Sequence, residues 1–192
     1  MEDVLEVYHL PYDPRYPVVC MDESSKQLMG EVREPVPCAP GRIARMDDEY
    51  VRNGVAEIFM EVEPLSGKRH VAITERRTRK DWAQQIKEML DEHYPPEAII
   101  RVVLDNHSAP ISKETMAYLA TRPRRFEYVH TPKHGSWLNL IECAFSKMAR
   151  TFLRHIRVGS IDELKTRIPK GIDEINASPV VFRWNKFDLG VD

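Results

Sequence analysis

Seven residues, Ala98 to Leu104 (AIIRVVL), form the most apolar stretch of this 192-residue chain, and they run directly into Asp105. A continuous apolar run closed upstream by Pro95 and Pro96 suits a strand covered on both faces rather than one alternating between core and solvent. Such a strand needs a sheet around it and a layer of helices on each side. The length allows one substantial domain and not two large ones. Composition is that of a globular protein, 42% hydrophobic and 30% charged. No stretch of 18 apolar residues offers a membrane span, and no basic leader precedes an apolar run, so a cytoplasmic protein is expected. Cys20, Cys38 and Cys143 make no CxxC pair and leave an odd count, which points away from a disulfide framework or zinc site.

The flanking segments predict the missing layers. Pro17 to Met21 (PVVCM) reads as a short buried strand ending at Asp22 and Glu23. Residues 33–42 hold three prolines and a glycine and read as a loop. Residues 55–63 and 70–75 are strand-like around the turn Pro64-Leu65-Ser66-Gly67, so three strands form an antiparallel meander. Thr78, with Asp81 three residues on, caps a helix carrying Trp82, Ile86, Met89 and Leu90. A shorter helix carries Met116, Leu119 and Ala120, and residues 126–130 give another strand. A long helix is predicted from about Trp137 to His155, with Ile141, Phe145, Met148 and Phe152 as its buried stripe. Cys143, Lys147, Arg150 and Arg154 form a second, mostly basic stripe, and Glu142 falls between the two. Ser160 and Glu163 open a last helix with an apolar face of Ile161, Leu164, Ile168, Ile172 and Ile175, which Pro169 is predicted to kink or break.

The fold class that follows is α/β. A mixed five-stranded sheet, three antiparallel strands then two parallel, carries helices on both faces. Residues 1–16 read as a lead-in arm, 17–158 as the main domain, and 159–192 as a C-terminal helix and tail packed on that domain.

Two acids end apolar strands, Asp22 and Asp105, and ligands in open α/β sheets collect at the carboxyl ends of strands. Glu142 comes from a helix able to pack across that end. Carboxylates from separate segments facing one cleft suit Mg²⁺, which prefers oxygen ligands. A pair of such ions about 3.5–4 Å apart serves both ends of an in-line phosphodiester displacement. Strand-ending aspartates also simply begin turns or cap helices. Glu23 rivals Asp22, but alternation points it to the other face.

Three blocks carry a family resemblance: VVCMDE at 18–23, VVLDNHSAP at 102–110 and TPKHGSWLNLIE at 131–142. They resemble the catalytic blocks of bacterial insertion-sequence transposases of the mariner superfamily. These belong, with retroviral integrases, to the DDE group with an RNase H-like fold. The 36 residues between Asp105 and Glu142 are similar to the family spacing, as are PGR at 40–42 and YVRNG at 50–54. The resemblance implies that Asp22, Asp105 and Glu142 ligate two Mg²⁺ or Mn²⁺ ions. It also implies that water frees a 3′-hydroxyl at the element ends, that this hydroxyl attacks target DNA, and that a homodimer acts on paired ends. The helix-turn-helix region by which relatives recognise element ends is not in this sequence. Pro110 stands where relatives often carry His. An RNase H-like nuclease without strand transfer, and an inactive DNA-binding or dimerisation remnant, are the alternatives.

Several residues support DNA contact, each with a plainer reading beside it. Asn106 suits hydrogen bonding near the metal or an Asx turn. Lys133, His134 and Ser136 precede the long helix, where backbone amides and a lysine suit a phosphate, although Ser136 serves equally as a cap. Trp137 suits base stacking or a place in the core. Asn139 lies one turn before Glu142 and is placed to orient it. The ridge of Lys147, Arg150 and Arg154 suits a DNA backbone, giving salt-dependent affinity. A net charge of −2, from 28 basic and 30 acidic residues, does not oppose this, because distribution outweighs the sum.

Overall fold

The computed structural model describes residues 2–45, 48–105, 112–153 and 157–183. Strands β1 (Val18–Glu31) and β2 (Tyr50–Val62) form a long antiparallel hairpin, and β3 (Arg69–Thr74) pairs antiparallel on its outer side. On the other side β4 (Ile100–Leu104) pairs parallel to β1, and β5 (Phe126–His130) parallel to β4. The order β3-β2-β1-β4-β5 is the mixed five-stranded sheet the sequence predicts.

The first strand does not end at Asp22. It continues to Glu31, paired with β2 down to Glu31 opposite Tyr50. Its partnership with β4 covers only Val18 to Cys20. Past that point one edge is open and side chains from Asp22 to Gln27 are half-buried or exposed. Polar residues on a half-covered strand read locally as a loop, while the hydrogen bonds that make them a strand come from a distant segment.

One face of the sheet carries α2 (Arg79–Glu88), which continues through a π-helical turn at Met89–His93, and α3 (Lys113–Ala120). Thr78 and Asp81 close the expected capping box at the start of α2. Trp82, Ile86, Met89 and Leu90 pack with Val19, Met21, Phe59, Val102 and Leu104. The expected short helix α3 carries Met116, Leu119 and Ala120; its buried residue is Thr115, whereas Met116 is exposed. The helix is tethered to the rim of α2 and seats little of its apolar surface.

The opposite face carries α1 (Glu2–His9), α4 (Ile141–Met148) and α5 (Ile161–Ala177) over Cys20, Ile58, Met60 and Val103. Helix α1 lies in the stretch that reads as an arm and inserts Val4 and Tyr8 into this core. Only two buried residues in eight leave too little periodicity to announce a helix. Pro169 does not break α5, which runs through it to Ala177. Leu164, Ile168 and Ile172 are buried on either side of the proline and hold the helix in place despite the missing hydrogen bond. All three cysteines are free. Among the described residues no helix is long and apolar enough to cross a membrane.

Candidate active site

Sheet register brings the two aspartates together. Cys20 sits opposite Val103 in the β1–β4 pair, so two residues further on Asp22 and Asp105 are level on neighbouring strands. Both take the orientation of Cys20 and Val103, which face α1, α4 and α5. Asp22 is half-buried, and its carboxyl is pushed up to about 8, first by burial and further by the charges of Glu23 and Asp105. The Glu23 amide donates to its Oδ1 at 2.8 Å and partly offsets the rise. The Glu23 side chain also hydrogen-bonds to Asp22, which raises its carboxyl further, and Arg77 meets Glu23 at 3.5 Å. The Thr131 hydroxyl, just past β5, donates to Asp105 Oδ1 at 3.2 Å and so anchors the second aspartate.

Glu142 stands exposed in the first turn of α4, above the same face. The single long helix expected from Trp137 is instead three pieces: a 3-10 turn at Ser136–Leu138, α4 from Ile141, and a π-helical turn at Ala149–Leu153. Asn139 makes the break. It is 1% exposed; its Nδ2 donates to Met21 O and its Oδ1 accepts from the Ile141 amide, both at 3.3 Å. Rather than touching the Glu142 carboxylate, it ties the start of α4 to the residue before Asp22. The Tyr8 hydroxyl adds a second tie, donating to Leu138 O at 2.9 Å and accepting from the Leu140 amide at 3.3 Å. No sequence signal marks Tyr8.

The amides of Leu140, Ile141, Glu142 and Cys143 are all engaged within the protein, so the start of α4 itself offers no free amide for a phosphate. Lys133, His134, Ser136 and Trp137 are all exposed on the turn between Thr131 and Asn139, and Trp137 at 69% exposure is not a core residue. His134 holds a left-handed backbone (φ 65°), and Gly135 packs so closely on Pro132 that a Cβ there would lie 2.6 Å from its ring. The tight turn therefore pushes these side chains outward near Asp105. Arg150 is exposed on the expected ridge, beside Lys147. Asn106 and Arg154 lie outside the described residues. A cleft of about 620 Å³ runs between β1 and α4, lined among others by Ser24, Lys26, Glu142, Ser146 and Arg150. Sequence reasoning misses Lys26 and Ser24 because their strand reads as ending at Asp22.

An all-oxygen set of two adjacent carboxylates with a third on the covering helix fits a hard divalent cation. Among the described residues no three His, Cys, Asp or Glu side chains already stand close enough to share one ion. Glu142 lines the cleft between β1 and α4, and neither aspartate is among that cleft's described lining residues.

A family model described as DDE superfamily endonuclease matches residues 17–165. The chain belongs to this family. No curated protein sequence matches it. Among solved structures, it is similar to the Mos1 mariner paired end complex with Mn, at 15% identity and TM-score 0.63, covering 90% of this chain and 52% of that one. The Mos1 strand transfer complex gives 14% identity and TM-score 0.60, covering 92% and 51%. The HTLV-2 integrase catalytic core domain in complex with magnesium gives 10% identity and TM-score 0.50, covering 86% and 85%. At these identities the likeness is one of fold, and the fold is RNase H-like, as in transposases and integrases. The chain spans about half the length of the Mos1 chains it matches.

Proposed function

We propose that this chain is the catalytic domain of a transposase that cuts DNA at element ends and transfers the freed 3′-hydroxyl to target DNA. Asp22, Asp105 and Glu142 would hold divalent Mg²⁺ or Mn²⁺. The observation that carries this reading is the level placement of Asp22 and Asp105 on adjacent parallel strands, under the helix that carries Glu142. The structures it resembles include complexes with Mn and magnesium, and paired-end complexes of Mos1.

When bound, divalent ions activate the attacking oxygen and neutralise charge on the leaving one. The residues of the chain prepare for that. Burial and the neighbouring acids raise the Asp22 carboxyl to about 8, and Asp22 would release its proton on holding a cation. Thr131 fixes the rotamer of Asp105. Asn139 and Tyr8 hold the start of α4 to the strand that bears Asp22. Lys133, His134, Ser136 and Trp137 on the turn, with Lys147 and Arg150 on the ridge, contact the DNA. Arg154 would contact the DNA with them, and Asn106 would hydrogen-bond near the metal. The working assembly is a homodimer on paired ends of double-stranded DNA, at the prokaryotic nucleoid.

The test is an assay with pre-cleaved ends, a target plasmid and Mn²⁺. Joined product that disappears in Asp105→Asn is the expected result. Cleavage of intact ends without any joining would identify a nuclease of the same fold instead. Neither cleavage nor joining by a folded protein that binds DNA would leave a DNA-binding remnant.

A further inference from the structure

Arg69, the first residue of β3, is 3% exposed, yet among the described residues it forms no ion pair. A buried guanidinium without a counter-charge is costly, and proteins ordinarily pair such a group. Here burial is the one influence on its acidity, lowering its pKa, with no acid pushing back. The side chain is also firmly placed. Its Nη1 donates to Gly67 O at 2.7 Å, and its backbone N–H and C=O are both bonded by the Asn176 amide, at 3.0 and 2.7 Å.

Arg69 opens onto a cavity of about 240 Å³ that it shares with Cys143, Lys147 and Arg150 of the α4 segment, walled by Val180–Phe182. The wall is pinned as well: the Phe182 amide donates to Pro64 O at 2.9 Å. Gly67, at φ +76°, lets the tail lie against the turn, because a Cβ there would be 2.7 Å from Val180 O. Three cations thus line one small cavity whose lining, among the described residues, contains no acid. Two of them come from the ridge proposed above to contact DNA, and the third arrives from the far edge of the sheet.

We infer that Arg69, Lys147 and Arg150 form a preorganised anion pocket that takes a backbone phosphate of the DNA strand leaving the Glu142 cleft. Arg150 lines both cavities, so a strand passing out of that cleft meets it before reaching Arg69 and Lys147. The planar guanidinium of Arg69 suits phosphate oxygens, and the apolar wall of Val180 and Phe182 suits the adjoining sugar. This rests on the DNA-processing reading above, but the pocket is testable without catalysis.

Anisotropy of a labelled DNA duplex is followed across a salt series in metal-free buffer. Wild type is compared with Arg69→Gln, Lys147→Gln and, as a control, Lys165→Gln on the exposed side of α5. Arg69→Gln and Lys147→Gln are each expected to weaken binding several-fold and to reduce the slope of log affinity against log salt by about one, the control leaving it unchanged. In a second arm, inorganic phosphate raises the melting temperature of wild type more than that of Arg69→Gln. Lys147, which is less buried than Arg69, keeps the test open should Arg69→Gln fail to fold. Slopes for both pocket variants equal to wild type overturn the pocket. If the slopes fall but no cleavage or joining is found, the pocket stands and the catalytic reading falls. If joining is found and the slopes are unchanged, the catalytic reading stands and the pocket falls.

Discussion

Asp22 concentrates the site's electrostatics in one side chain. Its folded-state pKa of about 8 lies well above its ordinary 3.8, so the native state holds a proton that the unfolded chain releases. A raised carboxyl contributes stability in its protonated form, complete below the unfolded value and lost as pH climbs toward the folded one. The metal-free protein should therefore lose stability between about pH 4 and pH 8. Asp22→Asn should remove most of that slope and raise Tm at pH 8 by roughly 3–8 °C, allowing for the group's partial exposure, with little change at pH 4. Thermal melts of both proteins at the two pH values decide it, and parallel curves would discard the idea. Asn139 is a second residue whose weight is structural. Asn139→Ala leaves Met21 O and the Ile141 amide without their partner in a buried site, at a cost of about 2–3 kcal/mol by urea denaturation. Asp22 and Asp105 are legible in the sequence because each follows an apolar run. The role of Asn139 is not, since its partners are 118 and 2 residues away and only the first explains its burial.

At the scale of elements, local pattern succeeds where burial is periodic and fails where a partner supplies the order. The capping box at Thr78 and the strand ending at Asp105 are written in adjacent residues. The break at Asn139 is not, because the apolar stripe of Ile141 and Met148 continues the periodicity of Leu138 across it. What holds the break is Asn139 bonded to Met21, with Tyr8, on a helix 130 residues upstream, as a second tie. Tyr8→Phe keeps the ring and removes the hydroxyl, so stability should fall by about 1–2 kcal/mol. Amide exchange at Leu140 should speed up selectively, and unchanged exchange there would show that Asn139 alone holds the start of α4. Pro169 offers the converse case. Because α5 already follows a helical path through it, Pro169→Ala restores a hydrogen bond without moving the backbone and should raise stability by about 1–2 kcal/mol. A destabilised Pro169→Ala would mean that the ring's packing outweighs the missing bond.

Over the whole molecule, the fold class is legible because a doubly covered strand, a meander and two helical stripes admit few arrangements. The convergence of the acids is legible only in part. Parallel pairing fixes Asp22 beside Asp105 through the sheet itself, whereas the reach of Glu142 depends on how α4 lies over the sheet, which no local pattern encodes. That difference has a thermodynamic consequence. A cation that binds the native state alone stabilises it by about 2.7 kcal/mol at a hundred times its dissociation constant, or roughly 5–10 °C for a chain of this size. Two of the proposed ligands are already level, while the third would have to move with the start of α4, which Asn139 and Tyr8 restrain. Binding through the aspartates should therefore supply most of the shift, with Glu142 adding a smaller share reduced by the work of moving the helix. Titrated with Mn²⁺ at about pH 7.5, just below the folded-state pKa of Asp22, wild type should show the full rise in Tm. Asp105→Asn should show almost none, and Glu142→Gln should retain most of it. A rise in Asp105→Asn equal to wild type would remove the metal site from these residues. Complete loss in Glu142→Gln would mean that α4 closes on the aspartates at no measurable expense.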